Sequence, residues 1–153
     1  MDHAKRQAIL VQAIAIGADH AGYELKDQLS AFLQAQNIKV DDIGTHSAEA
    51  TDYADYAHVV AGLVEDRQVD YGVLICGTGI GMAMAANRHP GIRAAVCPSA
   101  EHARLGRAHN NANILCLCAR LTPPSLAEEI LSIFVATPFD GGRHLQRVSK
   151  LTP

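Results

Sequence analysis

The chain has 153 residues, 13 of them basic and 16 acidic, for a net charge of −3, and 48% of its residues are apolar. That is one domain's worth of sequence with enough apolar content for a packed core, and its acidic balance excludes a general nucleic-acid binder. No apolar run reaches the roughly 18 residues a membrane span needs, no basic-then-apolar leader opens the chain, and the four scattered cysteines form no secreted disulfide framework. A cytoplasmic protein without nucleic-acid or membrane partners is expected.

Short apolar runs alternate with helix-like segments. Residues 1–12 fall outside this pattern and read as an N-terminal extension to a single domain over 13–153. Ala13–Gly17 predicts a buried strand ended by the ADHAG turn. Tyr23–Gln36 predicts a helix, with Leu25, Leu29, Phe32 and Leu33 recurring at spacings of three and four. Lys39–Ile43 is a second strand, and Asp52 is the expected cap of a helix over Tyr53–Asp66. Tyr71–Cys76 is the clearest strand, stopped by GTGIG, and a helix is expected over Met82–Asn87. Arg93–Cys97 predicts a fourth strand, Glu101–His109 a helix and Ile114–Cys118 a fifth strand. After the double proline at 123–124, Ser125 is the expected cap of a helix through Ala136. Gly141–Gly142 then opens a last basic helix to about Leu151. This alternation predicts an α/β fold: a five-stranded, mostly parallel sheet with helices on both faces, a three-layer sandwich.

Ligands of such sheets bind beyond the carboxyl ends of the strands. Those ends carry Asp19 and His20 after the first strand and Cys76-Gly77-Thr78-Gly79-Ile80-Gly81 after the third. Glycines there let successive backbone N–H groups turn inward as an anion-binding nest, although tight strand-to-helix turns also need glycine for geometry alone. Three familiar readings of the loop fail. Met82 stands where a dinucleotide fingerprint needs its last glycine, and also where a cysteine phosphatase loop needs arginine. A P-loop needs a lysine, and none occurs between Lys39 and Lys150.

Cys76 adjoins the expected nest, where a thiolate could serve as nucleophile or general base. Cys97, Cys116 and Cys118 read as packing thiols, with no metal-binding pattern around them. His20 beside Asp19, and His109 beside Asn110, are candidates for acid–base work. His3, His46, His58, His89, His102 and His144 read as surface or packing residues. Charge is uneven: residues 1–80 carry 5 basic and 12 acidic groups, net −7, whereas residues 81–153 carry 8 and 4, net +4. Arg143 and Arg147, four apart, would share one helix face and suit a phosphate dianion, or simply form a solvated basic face.

The segments GADHAG, DIGT followed by TDYADYA, LICGTGIGMAMAANR, GIRAAV, RAHNNANIL and GGRHLQRV resemble, in order, the B-type ribose-5-phosphate isomerases. The wider family includes galactose-6-phosphate and allose-6-phosphate isomerases. The resemblance implies a Rossmann-like fold, a homodimer with shared active sites that sometimes pairs into a tetramer, a sugar-phosphate substrate, and catalysis without metal or cofactor. It implies that Cys76 moves a proton between C1 and C2, with Thr78 beside the reacting oxygens and Gly77–Gly81 as the anion hole. It also implies that His109 opens the sugar ring and that Asp19 and His20 line the sugar. Asn110, Arg120, Arg143 and Arg147 match substrate-binding positions, and His109, Asn110 and Arg120 are expected from the partner subunit. The alternatives are an isomerase of a six-carbon sugar phosphate, or a phosphosugar-binding module without catalysis. Retention of Cys76, Thr78 and His109 together argues against the latter, because binding alone needs no base.

Overall fold

A computed structural model describes residues 11–153 of the chain. The expected extension over 1–12 therefore lies outside the described residues for positions 1–10. Its last two residues join the domain: Val11 is buried in the core, and the Gln12 carbonyl accepts the N–H of Lys39.

Five strands form one sheet: β1 (Ala13–Ala18), β2 (Lys39–Gly44), β3 (Tyr71–Cys76), β4 (Ala94–Val96) and β5 (Ile114–Cys118). Their order is β2-β1-β3-β5-β4 and every pairing is parallel. All six residues of β3 are buried, the signature of a central strand covered on both faces. The edge strand β2 instead carries Lys39, Asp41 and Asp42, charges that discourage pairing with another chain.

Six helices lie among the described residues: α1 (Tyr23–Gln34), α2 (Tyr53–Glu65), α3 (Ile80–Ala86), α4 (Ala100–Asn110), α5 (Pro124–Ala136) and α6 (Arg143–Ser149). Alternate strand residues feed two cores. Ile14, Ile16, Val73, Ile75, Leu115 and Leu117 pack against Leu25, Leu29 and Leu33 of α1 and against Ile130 and Phe134 of α5. Ala15, Leu74, Cys76 and Cys116 pack against Val60 and Val64 of α2 and Met82 of α3. This is the expected three-layer arrangement, with the strand period of two dividing each strand between the cores.

Helix starts and caps differ from the sequence reading in detail. Asp52 holds the N-cap position of α2 but makes no side-chain cap hydrogen bond. Pro124, not Ser125, begins α5, because a proline at the first helical position lacks only an N–H that would have no partner there. Helix α3 begins at Ile80 rather than Met82, since Gly79 at φ +78° completes the turn in a conformation natural to glycine.

A buried Arg107 ties the amino-terminal end of the sheet together. Its guanidinium donates to the Thr137 carbonyl at 3.1 Å and Asn111 Oδ1 at 3.0 Å, and lies 4.7 Å from the Tyr71 ring centroid. Burial pulls its pKa below the ordinary arginine value. The clamp joins the end of α4 to the end of α5, and so fixes where His109 and Asn110 lie.

Candidate active site

The chain leaves β1 for β2 on one side and later enters β3 on the other, so the sheet opens a crevice at the carboxyl ends of β1 and β3. Asp19 and Cys76 stand there. Asp19 continues the ladder, its N–H donating to the Ile75 carbonyl, and its buried Oδ1 accepts the N–H of Ala21 at 2.9 Å. The turn can lie this close to β3 only with glycine at position 22, where a Cβ would sit 2.6 Å from the Ile75 carbonyl oxygen.

Cys76 Sγ accepts the N–H of Gly79 at 3.1 Å, and Thr78 Oγ1 accepts the N–H of Ile80 at 3.2 Å. The expected nest is thus partly filled from within: two of its N–H groups hold the thiol and the hydroxyl. Asp19, Cys76, Gly77, Thr78, Ile80, Gly81 and Arg120 line a cavity of about 410 Å³ together with Tyr53 and Met84. His20 sits beside it, its Nδ1 accepting the backbone N–H of Thr51 at 3.2 Å. An acceptor at Nδ1 leaves Nε2 to carry the proton of the neutral ring.

Arg120 corrects the sequence reading. It was expected from a partner subunit, yet its N–H donates to the Gly77 carbonyl at 3.2 Å, and a Cβ on Gly77 would meet Arg120 Nε at 3.0 Å. The cause is sheet order. β5 lies beside β3 with Cys118 in register with Cys76, so the residues after β5 emerge next to the Cys76 loop of the same chain.

The other residues singled out from the sequence lie elsewhere. β5 begins at Ile114, in register with Gly72 near the start of β3, and α4 ends just before it. A five-residue strand rises about 3.3 Å per residue, so its two ends are separated by about 13 Å. His109 and Asn110 are consequently at the opposite end of the sheet from Cys76. Helix α6, carrying Arg143 and Arg147, packs on α4 at that same end. One chain thus carries two separated groups of candidate residues: a thiol with its glycine loop at one end of the sheet, and histidine, amide and two arginines at the other.

Three further residues lie with these two groups. The Tyr53 ring covers Gly81, and Met84 projects 67% exposed from α3. The signal for Tyr53 was its place in TDYADYA. His144 stacks on His109 with ring centroids 4.2 Å apart and planes 10° from parallel. Desolvation, followed by repulsion from His109 and Arg143, holds the His144 pKa below the usual imidazole value. Two side-chain groups among the described residues are compact enough for a cation: His109, Asp140 and His144, and Asp27, Asp42 and His46. In the second, the fully buried Lys26 Nζ already bridges Asp27 and Asp42 at 2.7 and 2.8 Å.

Fold and site together define an α/β protein with a cavity at a sheet switch point, lined by a thiol and a hydroxyl. Residues 14–151 match the Ribose/Galactose Isomerase family model, and the chain belongs to that family. It is 44% identical to ribose-5-phosphate isomerase B of Escherichia coli over 142 residues, 93% of this chain and 95% of that one. The crystal structure of a ribose 5-phosphate isomerase from Thermotoga maritima superposes with a TM-score of 0.91 at 50% identity, covering 94% of this chain and 98% of that one. The Mycoplasma genitalium ribose-5-phosphate isomerase B, solved with bound ribulose 5-phosphate, gives a TM-score of 0.88 at 40% identity, over 92% and 93% of the two chains.

Proposed function

We propose that this chain interconverts ribose 5-phosphate and ribulose 5-phosphate through a cis-enediolate, in a pocket completed by a second copy of the chain. The observation that carries the reading is Cys76 at the head of the glycine loop, in a cavity it shares with Asp19, Thr78 and Arg120. Membership in the isomerase family supports it.

In the open-chain aldose, the Cys76 thiolate takes the proton from C2. The C–H electrons form a C1=C2 double bond, and the C1 carbonyl electrons move onto oxygen. Thr78 stands beside O1 and O2 as the proton shifts from one to the other. The C2 carbonyl then forms, and the proton on sulfur passes to C1. One base serves both carbons because the planar intermediate is held still. Backbone N–H groups meet charge that grows on oxygen, where losing one donor typically costs about 3 kcal/mol. His20, a donor at Nε2, and Asp19 orient the sugar hydroxyls, with Arg120 beside them.

The partner's His109 half-site supplies ring opening, Asn110 a sugar contact, and Arg143 and Arg147 a guanidinium pair for the phosphate. The phosphate is remote from the reacting carbons, and its binding energy aligns them with the sulfur. An exposed apolar surface adjoins the Cys76 cavity, formed by Tyr53, Ile80 and Met84, and this is the face assigned to the partner. All four cysteines are free, in keeping with a reducing cytoplasm. No helix among the described residues is long and apolar enough to cross a membrane.

Kinetic assays with ribose 5-phosphate, allose 6-phosphate and galactose 6-phosphate test the reading. Highest kcat/KM for ribose 5-phosphate, unchanged after exhaustive chelation, is the expected result. Preference for a six-carbon substrate would reassign the sugar. Loss of turnover with EDTA, restored by a divalent metal, would sink the cofactor-free mechanism. No turnover of any of the three would leave a binding module.

A further inference from the structure

Cys118 was read from the sequence as a packing thiol, and the sheet gives it a more consequential neighbour. β3 and β5 pair in parallel with Cys76 directly in register with Cys118. Neighbouring strands lie about 4.8 Å apart, inside the roughly 4.4–6.8 Å between Cα atoms that a disulfide spans. The two side chains also share a face. Cys76 and Cys116 both belong to the core beneath α2 and α3, and Cys118 lies two residues beyond Cys116 on the same strand. Their sulfurs flank one loop: Cys76 Sγ accepts the Gly79 N–H at 3.1 Å, while the Cys118 thiol donates to the Gly77 carbonyl at 2.9 Å. Cys76 lines the cavity, and Cys118 is partly exposed rather than sealed in the core.

The other two cysteines are placed differently. Cys116 is in register with Leu74, one full side-chain repeat back from Cys76, and its thiol is completely buried. Cys97 is buried against the opposite core. Burial pushes the Cys97 pKa up to about 12 and raises that of Cys116 as well, so both stay protonated thiols.

We propose that Cys76 and Cys118 form an oxidative modification site, which a hydroperoxide converts into an intrachain disulfide and a thiol reductant restores. In the first step the Cys76 thiolate attacks the O–O bond of the hydroperoxide. That bond breaks, Cys76 becomes a sulfenic acid, and the alcohol (water, for hydrogen peroxide) leaves after taking up a proton. In the second step the Cys118 sulfur attacks the Cys76 sulfur. The S–O bond breaks, water leaves with the Cys118 proton, and the S–S bond forms. Two thiols lose two electrons in all, and the peroxide bond gains them. Because both sulfurs must leave their loop partners, the disulfide also withdraws the supports of Gly77 and Gly79. The loss of activity expected on oxidation rests on the reading of Cys76 as base; the disulfide itself does not.

The test oxidises the full-length wild-type chain with hydrogen peroxide, blocks residual thiols, and maps the linked peptides by mass without reduction. The expected product joins the Cys76 and Cys118 peptides, with isomerase activity lost and then recovered on adding dithiothreitol. C118S should lose activity without recovery, because an unresolved sulfenic acid proceeds to sulfinic acid. C116A should still form the bond. Absence of the Cys76–Cys118 link in the wild type, or a Cys76–Cys116 link in its place, would overturn the proposal. A mapped Cys76–Cys118 bond with undiminished turnover would uphold the disulfide and overturn Cys76 as the base.

Discussion

Two side chains carry the most chemistry per atom. Cys76 lines the cavity and accepts the N–H of Gly79, and Cys76→Ala removes the proposed base while leaving the proposed sugar and phosphate contacts in place. General-base removal typically costs 10²- to 10⁴-fold, so kcat should fall by about that much with the substrate Kd little changed. Near-native turnover would return Cys76 to the packing thiols. His144, which reads as a surface or packing residue, stacks on His109. Its pKa is lowered in the folded chain by desolvation and then by the nearby His109 and Arg143. An unfolded imidazole takes a proton near pH 6.5, so the folded state loses ground as pH falls below about that value, while the neutral stack is intact above it. The His144 ring protons should therefore titrate below about pH 6.5 by NMR, and His109→Asn should move that midpoint upward. A His144 midpoint indifferent to His109 would deny the coupling.

At the scale of elements, the close approach of the turn after β1 to the end of β3 sets the shape of the crevice. A methyl group at Gly22 would lie 2.6 Å from the Ile75 carbonyl oxygen, a contact with backbone that cannot swing aside. Gly22→Ala should destabilise the fold by about 1–3 kcal/mol, the usual cost of overpacking, seen as a lower urea midpoint with an unchanged slope. An unshifted midpoint would mean that the turn relaxes freely. Element types were legible because apolar periodicity is local: the spacing of Leu25, Leu29 and Leu33 marks α1, and the unbroken run YGVLIC marks β3. Capping was less legible. Asp52 and Ser125 have capping chemistry, but the side-chain bond at Asp52 is absent and Pro124 begins α5 ahead of Ser125. A cap depends on where the preceding loop delivers the chain.

At the scale of the whole molecule, Cys76 and His109 lie at opposite ends of one sheet, so the proposed reaction needs a second copy to bring them together. An inactive Cys76→Ala chain and an inactive His109→Ala chain, unfolded and refolded together, test this by complementation. Random pairing makes about half the dimers hybrid, each with one intact pocket, so about a quarter of native activity should return if pockets act independently. If refolded wild-type chain recovers activity and the mixture does not, the shared pocket is wrong. Arg120 should stay with Cys76 in this scheme, contrary to the sequence reading, so Arg120→Ala should complement His109→Ala but not Cys76→Ala.

The chain's residues alone determined the α/β class, the glycine loop after Cys76 and the likeness to an isomerase family, because all three depend on short segments whose chemistry is written contiguously. Tertiary structure decided which distant segments meet. Sheet order set Arg120 beside Gly77, and strand direction set His109 away from Cys76. Burial made Arg107 a clamp over Tyr71 rather than a surface cation. Register placed Cys118 opposite Cys76. The reason is physical: side-chain periodicity is set within a few residues of backbone, whereas strand order follows from which apolar faces can be buried together across the whole chain.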